Sequence, residues 1–183
     1  MKNIYSNIFS YNKKSLHKTI ANLKRGIIVG LPTETVYGLA GNAYSRESVN
    51  KIYKLKKRPK INPLIVHFLN YKKAENDIIL NDDFFKLYKK FCPGPITFIL
   101  NKKKDSKIQP VVSANLKTIA IRFPGHKIIQ TILKKLSFPL AMPSANISYS
   151  VSPVSSEDVA DEFKKNIKFI LNGGKSKIGI EST

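Results

Sequence analysis

At 183 residues, with one cysteine and an apolar fraction of 42%, the chain is long enough to bury a core without disulfides or metals and too apolar for the disordered class. The lone Cys92 excludes a disulfide framework within the chain, and no run has the length of a membrane span or signal core; a reducing, cytoplasmic setting is the expectation. The 32 Lys and Arg against 12 Asp and Glu give a net charge of +20, which favours polyanions, although a Lys-, Ile- and Asn-rich chain is also what an AT-biased genome writes.

In chain order, Ser15 to Arg25 reads as a helix with Leu16, Ile20 and Leu23 on one face and Gly26 as its stop. "GIIVGLP" is a short buried strand, and "TETVYGLAGNA" reads as a loop rich in hydroxyls and glycine. Ser45 caps a helix that runs to Lys56, with Val49, Ile52, Tyr53 and Leu55 as its apolar face. Pro59 and Pro63 bracket a turn before the strand "PLIVHF". "DDFFKLYKKFC" is an amphipathic helix, "ITFIL" a strand, and "NKKKDSKIQPVVSANLK" a mobile-looking basic connection. "TIAIRFP" is a strand, "HKIIQTILKKL" a helix, and "PLAMPSANIS" a strand running into a polar loop. "VSSEDVADEF" opens a helix with a capping box, Ser155 to Asp158, and "IKFILNGG" and "KIGIEST" read as two last strands. This alternation argues an α/β domain with functional residues in loops at strand ends.

Twenty-eight of the cations are Lys, so the four arginines, Arg25, Arg46, Arg58 and Arg122, stand out as sites where a planar fork is wanted. "YKLKKRPKINPLIVH" concentrates Lys54, Lys56, Lys57, Arg58 and Lys60 at a helix end; it is either a solvated C-terminus that suits the helix dipole or the wall of an anion site. Arg122, inside the apolar run "TIAIRF", needs an acidic partner or a ligand if its strand is buried. Glu34 in "PTETVYG" could be structural, "MPSANIS" could be an ordinary Ser or Asx turn, and His67 could be a hydrogen-bonded structural residue. "GGKS" at Gly173–Ser176 imitates the end of a phosphate loop, but Phe169 stands where that motif needs glycine. His17, His67 and His126 lie too far apart in sequence for a zinc site, no G-x-S-x-G elbow exists, and Cys92 reads as a small core residue.

Taken in series, "PTETVYGL", "KKRP..NPLIVH", "CPGPITFIL", "TIAIRFPGH", "PSANIS" and "GGKSKIGIEST" resemble the YrdC-type threonylcarbamoyl-AMP synthase family, from about Ile27 to the last residue. The resemblance implies a twisted mixed α/β sheet flanked by helices around a large basic concave cavity; the length argues for a single domain over 1–183, with no second domain expected. It implies condensation of L-threonine, bicarbonate or CO2, and ATP to threonylcarbamoyl-AMP and pyrophosphate, with Mg2+ bridging the phosphates. The product would feed t6A modification of tRNA through downstream transfer proteins. Lys56, Arg58, Ser144 and Asn146 match the family's catalytic signatures. Arg58, Asn62, Thr118, Asn146 and the backbone near Val154 match its ATP contacts. Thr35, His67, Arg122, Ser144 and Ser182 match its threonine contacts, and no protein metal site is implied. The chain stops at "GIEST", where longer relatives continue: either the site is completed differently or the sequence is C-terminally incomplete. The competing expectation is a non-catalytic module that grips double-stranded RNA or tRNA through phosphates alone.

Overall fold

The computed structural model describes residues 5–183, so the first four residues of the expected 1–183 domain lie outside the description. Among the described residues, eight strands form one mixed sheet: β1 Ile8–Ser10, β2 Val29–Leu31, β3 Gly38–Asn42, β4 Val66–His67, β5 Thr97–Asn101, β6 Thr118–Arg122, β7 Leu140–Ala141 and β8 Ile170–Asn172. Their order is β1-β8-β2-β3-β7-β4-β6-β5. β4 runs parallel to β6, whereas β5–β6, β4–β7, β3–β7 and β2–β3 are antiparallel. The helices are α1 Lys13–Lys24, α2 Arg46–Lys56, α3 Tyr71–Ala74, α4 Asp82–Phe91, α5 Lys127–Lys134 and α6 Ser156–Phe163.

Side-chain alternation divides the core in two. Ile119 and Ile121 of β6, Val66 of β4 and Phe98 of β5 point to the face where residues of α2, α4 and α6 pack. Val29, Leu31, Ala40, Leu140 and Met142 point to the other face, beneath α1 and α5. On that second face the helical cover does not extend over β5, where Ile99 is 65% exposed. The residues out of step with the apolar set, His67 on β4, Thr118, Ala120 and Arg122 on β6, and Thr97 and Ile99 on β5, share this side. The open half of the sheet therefore collects the polar strand residues.

Several expectations need correction. "TETVYGLAGNA" contains strand β3, because its glycines permit close packing: a Cβ at Gly38 would lie 2.5 Å from Met142 Cγ, and one at Gly41 2.8 Å from Ile28 Cδ1. "KIGIEST" is not a sheet strand; it is a bent segment, with Gly179 at φ 80°, whose Ile178 and Gly179 N–H groups donate to the carbonyls of Glu34 and Thr35 (3.0 Å each). The basic connection after β5 is anchored rather than loose, since Ile108 and Val112 are buried and Pro110–Ser113 forms a 3-10 turn. The buried carboxylate of Asp77 fixes its start, accepting from Tyr44 Oη (2.6 Å), Ser106 Oγ (2.8 Å) and Lys107 N (2.8 Å). Strand β1 and the short α3 carry little periodic signal and were not expected. The caps at Ser45 and at Ser155–Asp158 form as the sequence indicates.

Candidate active site

Five segments converge at the open half of the sheet. After β2, the Thr33 hydroxyl accepts the N–H groups of Thr35 (3.1 Å) and Val36 (3.2 Å), a turn that fixes Glu34 and Thr35. Gly38 bridges to Ser144, which brings the loop after β7 alongside this turn. β4 and β6 set His67 directly beside Arg122. The stretch 176–183 closes the side: Ser176 Oγ donates to Thr33 O (3.0 Å), Ser152 Oγ donates to Glu181 (2.6 Å), and the Ser182 and Thr97 hydroxyls lie 2.7 Å apart. Thr35, His67, Arg122, Ser144 and Ser182 line one shared cleft.

Arg122 is 4% exposed and ion-paired to Glu34 (2.7 Å), and its other terminal nitrogen donates to Thr35 Oγ1 (2.9 Å). The second Glu34 oxygen accepts the His126 N–H (3.1 Å). Burial pushes the Glu34 carboxyl up, but the Arg122 charge and hydrogen bonds outweigh it, so the group titrates below its ordinary 4.5. Arg122 is thus an arginine with an acidic partner, 88 residues away in sequence. Its Nε nevertheless remains buried without a partner, as does Nδ1 of the neighbouring His67. Burial, and then the Arg122 charge, hold His67 well below its ordinary value, so it is a neutral imidazole at physiological pH. An Arg122 nitrogen left unpaired beside a neutral imidazole, on residues that line a cleft, suits a ligand with acceptor oxygens.

Lys56 is buried at the end of α2. Its ammonium donates to the carbonyls of Ser144 (2.5 Å) and Asn146 (2.6 Å) and to Asn146 Oδ1 (3.1 Å). Asn146 Nδ2 in turn donates to Ser150 O (2.5 Å), and Ser148 N–H returns to the Lys56 carbonyl (2.9 Å). Burial, then the Arg58 charge, bring Lys56 down to about 8, against the opposing pull of Glu181 and Glu162. α2 ends at Lys57, which takes a left-handed conformation (φ 49°), and the chain turns so that Arg58 grips the next loop through Asn62 O (3.1 Å) and Pro63 O (3.0 Å).

The residues expected to contact ATP are placed more loosely. Arg58 and Asn62 share this turn. Thr118 lies on the same face of β6 as Arg122, four residues toward the start of the strand, about 13 Å away at the usual rise per residue. Asn146 is held by Lys56 and is not among the residues lining the cleft, and the Val154 N–H and carbonyl are engaged by Asp158 (2.9 Å) and Ser176 (2.8 Å). Sequence reasoning gave no role to Thr97, Thr33 or Tyr37, and it left Glu34 without its partner. Thr97 had no visible signal, because only the β5–β6 register places it opposite Arg122. "GGKS" forms no phosphate loop: Tyr37 Oη donates to Gly174 O (2.7 Å), and the segment continues into 176–183. Cys92 is half-buried against the core, with its thiol pushed up to about 11 by burial.

Residues 21–183 match the Sua5/YciO/YrdC family model, described as telomere recombination. The chain is 41% identical over 175 residues to a threonylcarbamoyl-AMP synthase of Bacillus subtilis, covering 95% of this chain and 50% of that protein. A Pyrococcus abyssi protein of the same name is 39% identical over 165 residues, covering 88% and 47%. The chain therefore spans about half the length of these relatives. Among solved structures, P. abyssi Sua5 complexed with L-threonine superposes with a TM-score of 0.90 at 35% identity, over 96% of this chain and 52% of that one. Escherichia coli YciO shares the fold, with a TM-score of 0.82 at 21% identity over 92% of this chain and 84% of that one. On this evidence the chain belongs to the Sua5/YciO/YrdC family.

Proposed function

We propose that this chain carries the synthase activity of its relatives, joining L-threonine, CO2 or bicarbonate, and ATP into threonylcarbamoyl-AMP and pyrophosphate. The observation that carries this reading is the convergence of Thr35, His67, Arg122, Ser144 and Ser182 on one cleft, with Arg122 Nε left without a partner among the described residues. The solved Sua5 structure with L-threonine supports it.

In this reading the threonine carboxylate takes up the Arg122 guanidinium, and His67 and the hydroxyls of Thr35, Ser144 and Ser182 orient the amino acid. The amine adds to CO2 and loses a proton, giving a carbamate. A carbamate oxygen then attacks the α-phosphorus, forming the new P–O bond as the bond to the departing pyrophosphate breaks. No enzyme nucleophile is needed, so catalysis is positioning and charge neutralisation. Arg58 neutralises nucleotide phosphates. Lys56 fixes the Ser144–Asn146 segment and supplies positive charge behind it. The acids nearest the cleft are engaged, Glu34 by Arg122 and Glu181 by Ser152, so a Mg2+ ion would draw its ligands chiefly from phosphate oxygens. When bound there, it would neutralise phosphate charge. The single-domain reading over 1–183, a cytoplasmic setting and delivery of the product to t6A modification of tRNA belong to the same proposal.

The test is pyrophosphate release by the purified chain. Release from ATP that requires both threonine and bicarbonate supports the assignment. Release that ignores threonine, or no release together with salt-sensitive RNA binding, overturns it.

A further inference from the structure

A second concavity, of about 520 Å3, lies between α2 and the stretch leading into β8, and it shares no lining residue with the Arg122 cleft. Its apolar lining is aliphatic, from Ile27, Ile28 and Leu55. Four cations, Lys51, Lys54, Lys57 and Lys168, also line it, and among the described residues no acidic one does. Lys51 is held by Glu47 (2.7 Å) and donates to Gly26 O (3.2 Å). Lys54, Lys57 and Lys168 are exposed and form no ion pair among the described residues.

Favourable interaction with the α2 dipole accounts for Lys54 and Lys57. It does not account for Lys168, which enters from a different part of the chain, between the 3-10 turn Lys164–Asn166 and β8. The volume is in the range of sites that enclose a ligand or the side chains of a docked segment. The lining holds no aromatic ring on which a base could stack, and an aliphatic floor offers nothing to a phosphate backbone. The partner that uses both features is a polypeptide with carboxylates for the rim and aliphatic side chains for the floor.

We propose that this groove docks an acidic segment of a partner protein that carries aliphatic anchors. The groove adjoins the chain that delivers Lys56 and Arg58, but it lies outside the candidate active site, and the inference stands independently of the proposed reaction.

The test uses a short fluorescein-labelled peptide of Glu-Glu-Leu repeats, read by fluorescence anisotropy, with Gln-Gln-Leu and Glu-Glu-Ser repeats as controls. The Glu-Glu-Leu peptide should bind more tightly than either control and resist displacement by double-stranded RNA. Its affinity should fall by about tenfold in a combined Lys54→Glu, Lys57→Glu, Lys168→Glu variant, since three exposed pairs are lost. If charge reversal unfolds the protein by circular dichroism, Lys54→Gln with Lys168→Gln should still weaken binding. Failure of the Glu-Glu-Leu peptide to bind, equal binding of Glu-Glu-Ser, undiminished binding by the folded variant, or displacement by RNA would each overturn the proposal.

Discussion

The ammonium of Lys56 and the side chain of Asn146 are locked together: Lys56 Nζ reaches both the Asn146 carbonyl (2.6 Å) and its Oδ1 (3.1 Å) across 90 residues of sequence. A basic side chain that the family resemblance assigns to an anion site anchors, in the folded chain, the loop carrying Ser144.

That contact predicts a pH signature. The folded Lys56 titrates near 8 rather than 10.5, so between these values the unfolded chain binds more protons than the native one. Stability attributable to this group must therefore rise as pH climbs from 8 to 10.5, by roughly 2–3 kcal/mol. Urea melts at pH 7 and pH 10 should show this rise in wild type and lose it in Lys56→Met. An identical pH response in both proteins would mean that Lys56 is not desolvated.

Replacing Ser144 and Asn146 together by Ala should abolish threonine-dependent pyrophosphate release while circular dichroism still reports a folded chain. Loss of the Asn146 hydrogen bonds should cost about 1–3 kcal/mol. Retained turnover would remove both residues from the site.

Glu34→Gln leaves the Arg122 charge buried without its counter-ion, and the expected loss is about 3–5 kcal/mol in chemical melts. The Glu34 carboxyl is depressed in the fold, so the pair contributes fully above its ordinary 4.5 and is lost as pH falls through the lower folded value. The variant should accordingly show a flatter stability profile in acid. A loss below about 1 kcal/mol would show that the pair behaves as a surface contact.

Arg58→Lys should reduce activity by more than about tenfold, because Lys cannot reproduce the two-point grip on Asn62 O and Pro63 O while meeting phosphate. Lys57→Ala should change it far less. Equal losses, read as threonine-dependent pyrophosphate release, would misplace the site.

Tyr149 stands at φ 75° as a 91% exposed residue, in the loop that Asn146 closes through Ser150. With no packing to lose, Tyr149→Gly should be neutral or stabilising by up to about 1 kcal/mol in thermal melts. A clear loss of stability would reveal a contact for this ring.

Local chemistry was legible in the sequence. Helix caps, the apolar faces of α1 and α2, and the need of Arg122 for a partner all follow from neighbouring residues. Partner identity was not, because Glu34 meets Arg122 only through sheet order, and Thr97 meets Ser182 only through the β5–β6 register and the path of the final residues. β3 looked like a loop because its glycines signal flexibility in isolation, whereas in the fold they allow Met142 and Ile28 to approach. The anchoring of the basic segment after β5 depends on Asp77, which lies 29 residues from the Ser106 it holds and gives no local sign of it. The threonine-contact expectations gathered in one cleft, whereas the expected nucleotide contacts spread along β6 and the Arg58–Asn62 turn.

The most direct measurement is mass spectrometry of the reaction mixture after the purified chain is incubated with L-threonine, bicarbonate, ATP and Mg2+. A species with the mass of threonylcarbamoyl-AMP should appear and should vanish when threonine is omitted. A folded chain that yields no such species under these conditions would rule out the proposed synthase activity.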